Sequence, residues 1–170
     1  LRARAANRAY VWLNLLEPPA LAWIAAALCR AAPAGAYSFG ANPYLPVYFF
    51  MAVIVAIFLG LSVSAEEIVR DRRVLRREQF LHLSWSAYAG AKILHVVGLV
   101  LLQTAVCAAF GAAWLRIPDF FAKLWLALFS AAAFGAILGL NVSARVRSAV
   151  ATYVLLPLLL LPQMLLGGLI

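Results

Sequence analysis

The sequence predicts an all-α fold, a polytopic bundle of about five transmembrane helices with a cytoplasmic connecting helix. Of its 170 residues, 66% are hydrophobic and 12% are charged, and the mean hydropathy is +0.97. A soluble domain of this length is usually about half apolar and about a quarter charged. The apolar residues also form runs long enough to cross a bilayer. These runs do not alternate in polarity, which excludes a barrel of membrane strands.

Five apolar segments are candidate spans, because a spanning helix needs roughly 20 apolar residues, with a range of about 17–25. They form a transmembrane domain over 18–170, with spans at about 18–32, 47–65, 87–115, 120–140 and 149–170. The first begins with Pro18 and Pro19, and proline is well placed at a helix start. The last contains Pro157 and Pro162, whose freed backbone groups neighbouring helices can satisfy.

Small residues in the fourth span favour close packing against another helix. Gly135 and Gly139 occur in "GAILG" (135–139), which overlaps "AAAFGA" (131–136). This spacing lets two helix backbones approach closely in a membrane. The alternative is that Gly and Ala are simply common in such spans.

Lysine and arginine are divided unevenly between the two sides of the predicted spans. Eleven of the fourteen lie in the N-terminal arm, in or just beyond the connection between the second and third spans, and in the connection between the fourth and fifth. By the positive-inside rule these parts face the cytoplasm, so the N-terminus is expected there. The chain starts without Met and ends inside an apolar run, and we therefore expect a longer protein with at least one further span.

The densest charge lies in the middle of the chain, in "SAEEIVRDRRVLRREQF" (64–80), where nine of seventeen residues are charged. No Pro or Gly occurs before Trp85, so the second span can continue into a connecting helix over 66–80. At 100° per residue, acidic and basic side chains fall on separate edges. The acidic edge contains Glu67, Asp71 and Glu78, and the basic edge contains Arg70, Arg73 and Arg77. This favours a docking helix; the alternative is a solvated helix whose arginines only fix the topology.

The residues around this helix resemble a known family. "RDRRVLRRE" (70–78) and "SWSAYAGAK" (84–92) together are similar to the membrane domain of ABC transporters of the G subfamily and their bacterial relatives. The family has an acid–Arg pair and an Arg–Glu pair in this helix, then Tyr and Lys at the start of the third span. The matching residues are Asp71-Arg72, Arg77-Glu78, Tyr88 and Lys92. "AYVWLNLLEPP" (9–19) sits where the family has an amphipathic elbow, which implies a cytoplasmic elbow over 1–17.

The resemblance also implies roles for individual residues. Contact with an ATP-binding domain is expected of Glu67, Asp71, Glu78 and Arg72. Contact with the elbow or lipid headgroups is expected of Arg70, Arg73, Arg77 and Glu17, although Glu17 can equally be a plain acid at a helix start. The family lines its path with the second and fifth spans, which carry no charge here. The substrate is therefore expected to be amphipathic or apolar, with Phe58 and Tyr153 as contacts unless they only pack in the core.

The implied function is the permease part of an ATP-driven exporter in a bacterial inner membrane. The sequence contains no GxxxxGK[ST] phosphate loop, so this piece is not expected to be an enzyme or to bind a cofactor. ATP and Mg²⁺ would be bound by an ATP-binding domain elsewhere on the same chain or on a partner. The other expected partners are a second copy of the membrane domain and the lipid bilayer, without nucleic acid.

Two other classes of function stay open. One is an intramembrane acyl-transfer or hydrolytic enzyme, and the other is a non-catalytic membrane scaffold. The titratable residues give the enzyme little support: His82 and His95 have no Cys, Asp or Glu at ligand spacing, and Cys29 and Cys107 read as small core residues. No catalytic or metal-binding residue is assigned. A phosphate loop upstream in the full gene would distinguish the transporter from both alternatives.

Overall fold

The structure is a computed structural model that describes residues 8–29, 40, 42–65, 67–69, 71, 84–146 and 149–166. These residues form five α-helices and a short 3-10 turn, with no strand among them. The helices are α1 (Arg8–Cys29), α2 (Leu45–Ala65), α3 (Trp85–Trp114), α4 (Phe121–Arg145) and α5 (Ala149–Leu166). The 3-10 turn, Pro118–Phe120, leads into α4. The all-helical membrane bundle predicted from the sequence is confirmed.

Three helical segments of the described chain are long and apolar enough to cross a membrane. They are Leu45–Val69, Trp85–Trp114 and Phe121–Arg145, which correspond to the second, third and fourth predicted spans. Two shorter apolar segments, Leu16–Cys29 and Val154–Leu165, overlap the first and fifth. That all five segments cross the membrane stays a prediction.

Helix α1 passes through two prolines without ending. It begins at Arg8, ten residues before Pro18, so the boundary expected between elbow and first span is not a helix boundary. Pro18 has no N–H to donate to the carbonyl of Asn14, four residues earlier. Gln103 of α3 donates from Nε2 to that carbonyl and to Oδ1 of Asn14, both at 3.2 Å. A neighbouring helix thus satisfies the group that the proline leaves free.

A second contact holds α1 against α3 one turn further along. The thiol of Cys107 donates to the carbonyl of Pro18 at 3.2 Å. Near the far end of both helices, the rings of Trp23 and Trp114 meet edge to face with their centroids 6.2 Å apart. At the end of α1, the carbonyl of Cys29 accepts a hydrogen bond from Nδ2 of Asn42 at 2.9 Å. Polar and aromatic contacts therefore fix α1 against the second half of α3.

The most extensive helix contact in the bundle is between α2 and α4. The two helices run in the same direction, and the contact face of α4 consists of small buried residues: Ala132, Gly135, Ala136, Gly139 and Ser143. A Cβ on Gly60 of α2 would collide with the backbone of Ala132, and one on Gly135 would lie 2.5 Å from the Ile57 carbonyl oxygen. The two backbones are thus too close for larger side chains, as the glycine spacing predicts.

Helix α5 packs mainly on α2. Leu156 joins Leu61 and Ala65 in a small buried cluster apart from the main core. Because consecutive helices alternate in direction, α2 ends, α3 begins and α4 ends at the same end of the bundle.

Candidate functional site

A buried ionic cluster lies at the end of the bundle where α2 ends and α3 begins. Nζ of Lys92 is 2.7 Å from Oε2 of Glu67 and 2.5 Å from Oδ2 of Asp71. Glu67 and Asp71 are four residues apart and the residues described between them are helical, so their side chains lie on one face. The Glu67 side chain is 0% exposed, that of Lys92 17% and that of Asp71 32%. One ammonium group therefore bridges a fully buried carboxylate and a partly exposed one.

Two more side chains of α3 contact the same carboxylates. The hydroxyl of Tyr88 donates to Oδ2 of Asp71 at 3.3 Å, and Nζ of Lys92 lies 5.7 Å from the Tyr88 ring centroid. Nε2 of His95 is 3.9 Å from Oε1 of Glu67. Tyr88, Lys92 and His95 follow at intervals of four and three residues, which places them on one face of α3.

Helix α4 reaches the same place through Ser143. Its Oγ accepts the backbone N–H groups of Ile68 and Val69, at 3.0 and 3.1 Å. Ser143 is fully buried. In a helix N-cap, a side-chain oxygen accepts backbone N–H groups of its own chain segment; here the oxygen comes from another helix. The helical residues after α2 are therefore held by two neighbours. Lys92 of α3 pairs with their carboxylates, and Ser143 of α4 accepts two of their backbone N–H groups.

The cluster connects three helices, because Lys92 of α3 pairs with Glu67 and Asp71 and Ser143 of α4 bonds to the backbone between them. The Ser143 oxygen is occupied as an acceptor, and the Lys92 ammonium is engaged by two carboxylates. In the part of the chain that the structure describes, no group of three or more His, Cys, Asp or Glu could hold a metal ion.

Among the residues expected to contact an ATP-binding domain, the structure describes Glu67 and Asp71. Glu67 lies in the interior with its carboxylate on Lys92, so a role for it in coupling would be indirect in this conformation. Asp71 is partly exposed and is held by Lys92 and Tyr88. The contact with an ATP-binding domain stays a prediction. The other residues of this helix with predicted roles lie outside the described part of the chain: Arg70, Arg72, Arg73, Arg77 and Glu78.

The other predicted site residues lie away from the cluster. Glu17 is half-buried in α1 directly before Pro18, at the level where α1 meets Gln103 of α3. Gln103 is eleven residues beyond Lys92, roughly 16 Å along the helix axis. Phe58 is half-buried in α2, and Tyr153 belongs to α5. Their contact with a substrate stays a prediction.

The sequence motif includes Lys92 but does not show that Lys92 pairs with Glu67 and Asp71. The signal was available, because Glu67 and Asp71 share the four-residue spacing of Tyr88 and Lys92. Ser143 and Gln103, which also connect helices, are not among the predicted site residues. Ser143 and Gln103 gave no comparable signal, because a lone polar residue in an apolar helix does not reveal which neighbour it meets.

Three long apolar helices and two shorter apolar segments among the described residues place the chain in the class of helical integral membrane proteins. The family model described as ABC-2 type transporter matches residues 1–170. The chain belongs to this family, and it is an integral, multi-pass permease domain of an ABC transporter. Searches of curated proteins and of solved structures found no match.

Proposed function

We propose that this chain is the membrane half of an ATP-driven exporter and that it moves amphipathic or apolar molecules. The observation that carries the proposal is the buried cluster of Lys92 with Glu67 and Asp71, in a chain that the ABC-2 family matches throughout. The cluster lies where α2 gives way to the charged connecting segment. A displacement of that segment would therefore reach three membrane helices together.

The ATP-binding domain would supply the displacement. In this proposal it binds ATP and Mg²⁺ and contacts the connecting segment through Asp71, Arg72 and Glu78, while Glu67 acts from the interior by anchoring the segment to Lys92. The basic edge of Arg70, Arg73 and Arg77 would contact the elbow, including Glu17, or lipid headgroups. Exposed ion pairs contribute only about 0.2–1 kcal/mol each, so coupling would depend on several of them.

The character of the two proposed path helices supports an apolar or amphipathic substrate. Neither α2 nor α5 contains a charged residue. A charged solute would need polar partners at that depth in the membrane. Phe58 of α2 and Tyr153 of α5 are the proposed contacts.

A second copy of the chain would form the other wall of the path. Helix α5 leaves a stripe of large apolar side chains exposed at helical spacing: Val154, Leu158, Leu161 and Leu165. A two-fold interface uses the same surface on both partners, and an uncharged stripe of this kind is compatible with self-association. From the division of basic residues we propose that the N-terminus lies in the cytoplasm and that the protein lies in the bacterial inner membrane.

Reconstitution of the full-length protein with its ATP-binding domain in proteoliposomes tests the proposal. We expect ATPase activity that rises with amphipathic test compounds, and ATP-dependent movement of a fluorescent amphiphile across the membrane. Replacing the phosphate-loop lysine of the ATP-binding domain should abolish both the ATPase activity and the transport. Stimulation by small hydrophilic solutes alone would overturn the proposed substrate class, and no ATP-dependent transport of either class would overturn the function.

The proposed coupling contact has its own test in Glu78→Lys. We expect the reversed charge to lower substrate-stimulated ATPase while basal ATPase is kept, because repulsion weakens the docking of the connecting segment. Asp119→Lys is the matched control, since Asp119 is exposed in the turn before α4, at the opposite end of the bundle. Equal stimulation in both variants would show that the connecting helix only fixes the topology.

A further inference from the structure

Close contact between α2 and α4 runs without interruption from the middle of the bundle to the ionic cluster. At Gly139, an added Cβ would collide with Oγ of Ser64 and would lie 3.0 Å from the Leu61 carbonyl oxygen. One turn later, Ser143 accepts the N–H groups of Ile68 and Val69. The contacts at Gly60, Gly135, Gly139 and Ser143 together are called the α2–α4 seam below.

The seam does not favour sliding of one helix along the other. Two helix backbones that touch at glycines fit together in one axial register. A shift along the axis would replace a glycine at the contact with a larger residue, whose side chain would clash with the other backbone. Such well-packed contacts switch between discrete arrangements and do not deform continuously. Ser143 adds a directional constraint, since two N–H groups must point at one oxygen.

We propose that Ser143 is a positioning residue that fixes the segment after α2 to α4, so that α2 and α4 move as one body when the connecting segment is displaced. The inference rests on the proposed function for the source of the movement, but the rigid pairing itself can be measured without transport. It changes the expected mechanism, because α4 becomes a moving part together with the path-lining α2.

A disulfide across the seam is the decisive experiment. In the full-length protein with Cys29→Ala and Cys107→Ala, the pair Ser64→Cys and Gly139→Cys replaces the closest contact. A Cβ on Gly139 would lie 3.2 Å from Cβ of Ser64, and disulfides have Cβ–Cβ distances of about 3.5–4.5 Å, so a small adjustment allows the bond. We expect the same cross-linking yield in membranes without nucleotide and with ATP trapped, and a transport rate within about twofold of the reduced protein.

The possible results separate this inference from the proposed function. A yield that falls severalfold in one nucleotide state, or no cross-link in any state, overturns the rigid pair. Transport lost on oxidation and restored by reduction also overturns it, because it shows that the helices must slide. If the protein does not transport at all, the proposed function fails while the nucleotide-independent yield still supports the seam.

The role of Ser143 is tested without any change to Gly139. In Ser143→Ala, we expect hydrogen exchange at the amides of Ile68 and Val69 to rise by about five- to tenfold, the effect of losing about one net hydrogen bond. The ratio of substrate-stimulated to basal ATPase should fall severalfold. Ser130→Ala is the control on the same helix, because the Ser130 hydroxyl donates only to the local Ala127 carbonyl. Unchanged exchange at both amides, or an equal fall in basal and stimulated activity, would overturn the positioning role.

Discussion

Lys92 is suited to its place because of the length of its side chain. It starts from a helix whose neighbouring positions are apolar, and its four-carbon stem can pack against that surface while the ammonium group reaches two carboxylates. A buried carboxylate without a partner costs several kcal/mol, whereas a buried pair costs little relative to a well-packed apolar alternative. The pair at Glu67 therefore specifies which helices meet more than it adds stability.

Replacing one member of this ion pair should destabilise the protein more than replacing both members. Lys92→Met removes the ammonium group that lies 2.7 Å from the buried Glu67 carboxylate, and we expect this loss to cost about 3–5 kcal/mol. Lys92→Met together with Glu67→Gln should recover most of that loss, because a neutral amide is much less costly to bury. Thermal melting of the purified protein in detergent measures both.

Lys123→Met is the matched control for this comparison. Lys123 is exposed and lies 5.4 Å from the Phe120 ring centroid, an interaction of about 0.5–1 kcal/mol at an exposed site. An equally large loss of stability in this variant would show that removing any lysine destabilises the bundle and that the cluster has no special role.

Glu67 and Asp71 also show which features of the cluster the spacing along a helix can predict. Spacing within a helix placed Glu67 and Asp71 on one edge, and the structure retains that arrangement. It could not show that this edge faces the protein interior, because its partner lies 25 residues later on another helix. Charge suggested exposure, and a tertiary ion pair overrode that expectation.

At the scale of a helix pair, the α2–α4 seam depends on the lack of a side chain at Gly60. Gly60→Ala would press a Cβ into the Ala132 backbone, and overpacking of this kind typically costs about 1–3 kcal/mol. Gly98→Ala is the control, because an added Cβ there meets nothing within 4 Å. The control should be neutral or stabilising by about 0.4–1 kcal/mol. Equal melting temperatures for the two variants would contradict the tight seam.

Helix α1 gives a second test at this scale, because Pro18 and Gln103 are coupled. Gln103→Leu removes the donor to the Asn14 carbonyl, and we expect a loss of about 0.6–2 kcal/mol, typical of such bonds in membranes. Pro18→Ala restores the N–H four residues after Asn14, so Gln103→Leu should cost less in that background. A double-mutant cycle of melting measurements gives the coupling, and additive effects would refute it.

The sequence predicted the existence of the helices better than their ends. Runs of apolar residues located α2, α3 and α4, because length and composition alone determine whether a helix can span a bilayer. Pro18 suggested a helix start, since proline is favoured there. The structure continues the helix through it because Gln103, from a different helix, supplies the missing donor.

For the whole molecule, the proposed orientation predicts which loops react with reagents outside the cell. Tyr44→Cys, exposed between α1 and α2, should react with a membrane-impermeant maleimide on intact cells. Ser84→Cys, exposed just before α3, should react only after the membrane is permeabilised. Both are made with Cys29→Ala and Cys107→Ala, since these are the cysteines of the chain. The opposite pattern of labelling would invert the topology.

The cluster also sets an order of events while the chain is being made. Glu67 leaves the ribosome 25 residues before Lys92, and Ile68 leaves 75 residues before Ser143. At about 5–20 residues per second, the carboxylate waits roughly 1–5 s for its lysine, and the two amides wait roughly 4–15 s for their serine. During the first interval, water or a membrane-insertion factor must solvate the Glu67 carboxylate. The hydrogen bonds to Ser143 therefore form after the ion pair at Lys92. Newly made chains that stall before Ser143 would expose this end of the bundle to quality-control proteases.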